Sequence, residues 1–286
     1  MIISFTGANM NKLLLVDGSN LLFQMFYGMP ARILNSKGKP MQGVLGFVGA
    51  LLKIIRKTDP THILVLFDGE HSNPRTELSE TYKANRMDYT TVPEEDNPFS
   101  QLDDIYKALQ HLQIPFYETT HYEADDIIAA YVHTLKNLPI IISSWDSDLF
   151  SLISDHTSIF RYRGDNSYVC DKAYVWNRLQ IQPSQYKFFK ALCGDTADNI
   201  KGIKGIGPKS AAYLVNKYNS IQELYDNLEN EKLKKLLFGQ KTVLELNYKL
   251  IDFIEVDSLP YSLEHLVYTL HQEVTTKSIL TKIGAY

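Results

Sequence analysis

The chain is poor in cysteine. Two occur in 286 residues, Cys170 and Cys193, at a spacing that matches no zinc motif. A disulfide-stapled fold and a thiolate metal centre are thereby excluded. Buried thiols of a cytosolic protein are the expectation, and with them a cytoplasmic location. No apolar run approaches the ~18 residues of a membrane helix, so no span and no membrane partner are expected. Residues 1–11 lack a basic segment followed by a long apolar stretch, so no signal peptide is expected either. Low-complexity tracts and fixed-period repeats are missing. An excess of positive charge is missing too: the net charge is −4, the reverse of what a nucleic-acid partner suggests.

The chain does have ample apolar material, 44% of its residues, enough for one large domain or two smaller ones. Several apolar runs end in acid. Leu13 to Val16 leads into Asp17, Ile63 to Phe67 into Asp68, and Ile140 to Ile142 through Trp145 into Asp146 and Asp148. Short, wholly apolar runs read as strands buried on both faces of a largely parallel sheet. Ligands of such sheets bind beyond the C-terminal strand ends, where these acids fall. Glu123, Asp125 and Asp126 open an apolar helical pattern, and Asp195 and Asp198 come later. An acidic first turn is also ordinary helix capping. Nine carboxylates gathered at one rim would repel unless a counter-ion joined them. Hard divalent cations suit that role, and a pair about 4 Å apart would clamp both the attacking and leaving oxygens of a phosphodiester. Without those nine acids the net charge of −4 becomes +5, so the surrounding surface can be basic.

Residues 1–9 read as an N-terminal extension, 10–180 as an α/β core, and 181–286 as a helical, DNA-binding region, with strands ending near Lys172. From Gly69 to about Pro98 there is no apolar run. A polar connection of this length is either functional or disordered. Its place after Asp68 favours a mobile loop or helical arch over the site, about residues 70–98, with Lys83 and Arg86 as phosphate contacts. Arg75 and Tyr82 in the same stretch are further candidate DNA contacts. Phe26 or Tyr27 could stack a terminal base, and both fit core positions equally well. The second informative stretch has glycines at Gly202, Gly205 and Gly207, and lysines at Lys201, Lys204 and Lys209. Such glycines let backbone N–H groups approach a phosphate at a helix N-terminus, and they also occur for structural reasons.

Together these motifs resemble the 5′-nuclease (flap endonuclease) family, which includes the N-terminal nuclease domain of bacterial DNA polymerase I. The resemblance runs from about Asn11 to Ile254 and rests on Val16–Ser19, Phe67–Gly69, Tyr82–Arg86, Glu123–Asp126, Asp146–Asp148 and Gly194–Lys209. It implies a PIN-like fold: α/β, with a mainly parallel central sheet, flanking helices, and a helical C-terminal region carrying a helix-hairpin-helix at about 190–217. It implies metal-dependent 5′-3′ exonuclease and flap endonuclease action on DNA with 5′ flaps, nicks or free 5′ ends, in replication and repair. Two Mg²⁺ ions are implied, with Mn²⁺ able to substitute. Asp17, Asp68, Glu123 and Asp125 lean to one ion. Asp146, Asp148, Asp195 and Asp198 lean to the other, with Asp126 nearby or bridging through water. Lys83 and Arg86 match the family's arch residues. The stretch 202–207 matches its DNA grip, which can hold K⁺ on backbone carbonyls. A stand-alone, monomeric nuclease is expected. Two positions depart from the family: Trp145 stands where Gly is usual and could narrow the site or stack on a base, and Lys201 stands where Pro is frequent. A non-catalytic binder of branched DNA and a PIN-type ribonuclease are the alternatives. An aspartyl-phosphate phosphatase is disfavoured, because Ser19 stands where its second Asp would be.

Overall fold

Apolar runs become neighbouring strands, and their ends line up. β1 (Leu13–Asp17), β2 (His62–Phe67), β3 (Phe116–Glu118), β4 (Ile140–Ser143), β5 (Thr157–Arg161) and β6 (Tyr168–Cys170) form one sheet in the order β3-β2-β1-β4-β5-β6. All neighbours are parallel except β5 and β6. The computed structural model describes residues 11–70, 74–269 and 274–285. The expected extension at 1–9, and residues 71–73 of the polar stretch, lie outside them.

The helices are α1 (Gly18–Gly28), α2 (Gln42–Thr58), α3 (Pro74–Leu78), α4 (Leu102–His111), α5 (Ala124–Thr134) and α6 (Lys172–Leu179). There follow α7 (Tyr186–Cys193), α8 (Pro208–Lys217), α9 (Ile221–Asp226), α10 (Lys234–Leu237), α11 (Lys241–Ile251) and α12 (Thr276–Lys282).

β1 shows why its residues are apolar throughout. Leu14 and Val16 pack into a cluster with Phe47 and Leu51 of α2, while Leu13 and Leu15 pack on the other face with Ile127, Ile128 and Tyr131 of α5. Alternate side chains point to opposite faces, so a strand covered on both needs no polar position. Each fully buried side chain of this kind contributes about 1.5–3 kcal/mol, which helps to hold the acidic rim together.

The cluster beneath α5 continues through Leu192, Leu214 and Leu244, so the helical part and the sheet share one core. Strands do not stop near Lys172, as the sequence suggests. A two-residue antiparallel ladder, β7 (Gly194–Asp195) with β8 (Ile200–Lys201), closes the loop that carries Asp195 and Asp198. Two residues per strand leave no hydrophobic period to read. The polar stretch is not one continuous helix either. α3 is followed by turns and by single 3-10 turns at Tyr89–Thr91, Glu94–Asp96 and Pro98–Gln101.

Candidate metal centre and nucleic-acid interface

Parallel register brings the acids to one edge. Asp17 pairs with Leu66 in β2, and Val16 with Ser143 in β4, so Asp17, Asp68 and the 144–148 loop leave the sheet together. Asp17 caps α1: its Oδ1 accepts the Asn20 N–H at 2.9 Å, and its Oδ2 accepts the Ser144 hydroxyl at 2.8 Å. Asp68 Oδ1 accepts the Ala124 N–H at 2.8 Å, tying β2 to the first turn of α5. The loop after β4 is wound on itself, since Asp146 Oδ1 accepts the Asp148 N–H at 2.8 Å.

Burial and mutual repulsion hold protons on this rim. Burial, then the charge of Asp68, pushes the Asp17 carboxyl up to about 7. Burial, then Asp146, pushes Asp148 up to about 8. Asp125 lies well above the usual carboxylate range, through burial and then the charges of Asp146, Asp17, Asp68 and Glu123. Asp146 is raised by burial, against the lowering effect of the Asp148 N–H. Oxygens of Asp148, Asp195 and Asp198 lie within 4.8 Å of one another. Asp148 Oδ1 is buried, with the Lys190 ammonium 3.4 Å away. Hard carboxylate donors gathered within 4.8 Å and protons held against repulsion fit a divalent cation of the Mg²⁺ type.

Of the three acids at the start of α5, Asp126 is the one held by an arginine on both oxygens. Its side chain is 0% exposed. Oδ1 accepts from Arg75 Nη2 at 2.7 Å and from the Ile254 N–H at 2.8 Å. Oδ2 accepts from Arg75 Nη1 at 3.1 Å and, in a capping box, from the Glu123 N–H at 3.0 Å. Both oxygens thus accept two hydrogen bonds each from protein groups. Asp125, one residue earlier, faces the rim instead.

The Arg75 side chain is 3% exposed and also donates to the carbonyls of Leu250 and Asp252, at 3.1 and 2.7 Å, so it is a buried strut between α5 and the end of α11. Tyr82 is likewise buried, its hydroxyl donating to Glu123 Oε2 at 3.2 Å and to Asp198 Oδ2 at 3.4 Å. Its hydroxyl supports both acids.

The polar stretch lies on the acidic loop. Lys83 donates its N–H to the Asp198 carbonyl at 3.0 Å, and Asn199 Nδ2 donates to the Thr81 carbonyl at 2.8 Å. Lys83 ion-pairs with Glu123, and Arg86 with Asp198 at 2.9 Å. The Lys83 backbone adopts φ +54°, a left-handed conformation rare for this residue type. Burial works to raise the Glu123 carboxyl, but the charges of Lys83 and Arg75 overcome it and leave Glu123 below its usual value. Further along, Tyr89 and Phe99 pack edge-on against Phe23 of α1. Phe26 is buried in the core; Tyr27 is exposed and shares a hydrogen bond with the Tyr89 hydroxyl at 3.0 Å.

Sequence reasoning missed two cations. Lys190 of α7 places Nζ 2.5 Å from Asp195 Oδ2 and 3.4 Å from Asp148 Oδ1. Burial works to raise Asp195, but its hydrogen bond with Lys190 and that residue's charge leave it below the ordinary value. Arg161, at the end of β5, donates to the Trp145 carbonyl at 3.0 Å and to Ser147 Oγ at 2.9 Å, which fixes the loop between them. Trp145 packs edge-on against Tyr168 and donates its indole N–H to the Tyr162 carbonyl at 2.9 Å. Its ring is thereby held against β6. Lys190 carried one weak signal, a basic residue five positions before Asp195; Arg161 carried none.

The hairpin between α7 and α8 separates its residues cleanly. Ile203 and Ile206 are buried, while Lys201, Lys204, Gly205, Gly207 and Lys209 are exposed. Gly202 is different: a Cβ there would lie 2.2 Å from the Cys193 carbonyl group, so this glycine lets the hairpin close on α7. Gly205 has φ +87°, whereas Gly207 opens α8 with no side-chain cap and open space in front of its Cα. The Lys201 carbonyl accepts from Asn247 Nδ2 at 2.9 Å, and the Ile203 carbonyl from the Ile206 N–H at 2.9 Å.

The family description "5′-3′ exonuclease, N-terminal resolvase-like domain" matches residues 12–180, and "5′-3′ exonuclease, C-terminal SAM fold" matches residues 181–273. A 5′-3′ exonuclease of Aquifex aeolicus is 32% identical over 245 residues, covering 85% of this chain and 81% of that one. DNA polymerase I of Borreliella burgdorferi is 32% identical over 256 residues, covering 88% of this chain but 28% of the polymerase. The chain thus spans under a third of that relative's length. A bacteriophage T5 flap endonuclease solved with DNA and metal ions superposes with a TM-score of 0.68 at 25% identity, over 85% of this chain and 89% of that one. Among the described residues no helix is long and apolar enough to cross a membrane. With both halves of its sequence matched and the parallel sheet delivering its acids to one rim, the chain belongs to the 5′-3′ exonuclease family.

Proposed function

We propose that the chain is a structure-specific 5′-nuclease that hydrolyses phosphodiesters of DNA bearing 5′ flaps, nicks or free 5′ ends, in replication and repair. One observation carries the reading: carboxylates from β1, β2, α5, the 144–148 loop and the 195–198 loop converge beside an outward-facing glycine–lysine hairpin. Asp17, Asp68, Asp125 and Glu123 would hold one divalent ion, and Asp148, Asp195 and Asp198 another, with Asp146 between the groups. Mg²⁺ is the proposed metal, and Mn²⁺ a substitute. When bound, the ions supply charge stabilisation for the attacking and leaving oxygens.

The chain's own groups do the rest. Lys83 and Arg86 exchange their carboxylate partners for the scissile phosphate and balance its developing charge. The N–H groups at the start of α8, with Lys201, Lys204 and Lys209, hold the duplex backbone without reading its sequence. Carbonyls of the 202–207 turn hold K⁺. Arg161 and Arg75 touch no DNA; they position the 145–147 loop and the α5 N-terminus. The protein acts as a monomer, with residues 181–286 as its DNA-binding region.

Matched DNA and RNA 5′-flap duplexes test the substrate. Preferential cutting of the DNA flap, near its junction, supports this reading. Faster cutting of RNA, with no dependence on the duplex, favours a PIN-type ribonuclease and overturns it.

A further inference from the structure

The turn between α10 and α11 presents apolar side chains to solvent on a rigid frame. Leu237 is fully buried, and the Tyr225 hydroxyl donates to its carbonyl at 2.9 Å. The Phe238 N–H donates to the Lys234 carbonyl at 2.8 Å, and the Gln240 N–H to the Leu237 carbonyl at 3.0 Å. Gly239 follows at φ +72°, where an L side chain would be strained. With Leu237 turned inward, its neighbours face out, and Phe238 is 71% exposed.

A single exposed apolar residue needs no explanation. Here the location supplies one. A Cβ built at Gly205 would sit 3.2 Å from Leu236 Cδ2, so this turn is seated directly on the hairpin. Lys204, next to Gly205 in the chain, and Lys235, next to Leu236, are both exposed. Lys234 is already paired with Glu229.

We propose that Phe238, with the neighbouring exposed Leu236, is a second DNA-contacting element. It is an apolar tip that enters the minor groove of the duplex whose backbone the hairpin grips, while Lys235 meets an adjoining phosphate. The proposal rests on the reading of the hairpin as a DNA grip. Charge selects the occupant: exposed Lys235 lies in the turn itself, and exposed Lys201, Lys204 and Lys209 lie in the hairpin on which it is seated, a basic setting like that of the wedges of minor-groove proteins. A second copy of this basic surface would be repelled by it.

The test uses the full chain, a fluorescent 5′-flap duplex, EDTA to prevent cleavage, and binding isotherms between about 50 and 200 mM salt. Phe238→Ser should weaken binding roughly tenfold at every salt concentration, because no charge is removed. Phe238→Leu should retain most of the affinity. Lys235→Gln should instead flatten the salt dependence by about one phosphate contact. Melting curves of all three should match wild type. If Phe238→Ser binds as tightly as wild type while Lys209→Gln loses affinity, the tip proposal is overturned and the hairpin reading stands. If Lys209→Gln also binds normally, or wild type binds no duplex, the hairpin reading falls and takes the proposal with it. Sedimentation showing a wild-type dimer that Phe238→Ser dissolves, with unchanged DNA affinity, would make the tip a contact between copies and overturn the proposal.

Discussion

Lys190 Nζ lies 2.5 Å from Asp195 Oδ2, inside the group of carboxylates best placed to hold a metal ion. Lys83 on Glu123 and Arg86 on Asp198 repeat the arrangement. Side-chain cations thus balance part of the rim's charge, and a metal ion entering it must compete with them.

Lys190→Met should therefore destabilise the metal-free protein by on the order of 2 kcal/mol, because it strips a partly buried carboxylate pair of its counter-ion. Urea unfolding in EDTA measures this. Saturating Mn²⁺ should close the gap to wild type. Equal stability of the two proteins in EDTA would mean that Lys190 balances nothing there.

Asp146→Asn should have the opposite sign. It removes one negative charge at nearly constant volume, and the Asn oxygen can still accept the Asp148 N–H. In EDTA the melting temperature should rise by a few degrees while Mg²⁺-dependent cleavage collapses. In excess Mg²⁺ the stability order should narrow or reverse, since the mutant binds the stabilising ion less well. A clearly lower melting temperature in EDTA would make Asp146 a structural acceptor first.

The pH dependence follows from the same crowding. A carboxyl whose folded value is raised favours folding while protonated, and that contribution is lost as pH rises through its folded value. For Asp17 and Asp148 the loss extends up to about 7 and about 8. His62 and His133, lowered first of all by burial, act the other way only below their ordinary value of 6.5. Glu123 and Asp195, both depressed, contribute fully above their unfolded values of 4.5 and 3.8. In EDTA, stability should thus fall between pH 6.5 and about 8. In Mg²⁺ the slope should flatten. Calorimetric melts across that range decide it; a rise in EDTA would contradict the raised carboxyls.

Arg75→Met should cost about 3–5 kcal/mol, because it leaves Asp126 buried without its cation. Denaturant unfolding with duplex binding distinguishes a strut from a DNA contact. Normal stability with weakened binding would restore Arg75 to the DNA surface.

How legible the site is depends on how local each cause is. Asp17, Asp68 and Asp146 announce themselves because an apolar run buried on both faces must end before a charge appears. Asp125 and Asp126 are adjacent and chemically alike. Helix geometry alone turns one toward the rim and the other onto Arg75, 51 positions away. Gly202 resembles Gly207 in sequence, yet one is required by the Cys193 backbone and the other faces open space. Lys190 looks like any polar residue on an amphipathic helix until the 195–198 loop folds back over it. Trp145, read as a possible obstruction, is drawn aside by the Tyr162 carbonyl, a partner that no local pattern names.

The central claim is that these carboxylates hold the metal that cuts DNA. The most direct measurement is cleavage of a labelled 5′-flap duplex by wild type and Asp148→Ala, each in Mg²⁺, Mn²⁺ or EDTA, with duplex binding followed in parallel. The account predicts discrete products near the junction from wild type in either metal and none in EDTA. It predicts that Asp148→Ala binds the flap almost normally and loses most of its cleavage. Wild type that binds but never cuts, cutting that persists in EDTA, or Asp148→Ala turning over like wild type would contradict it.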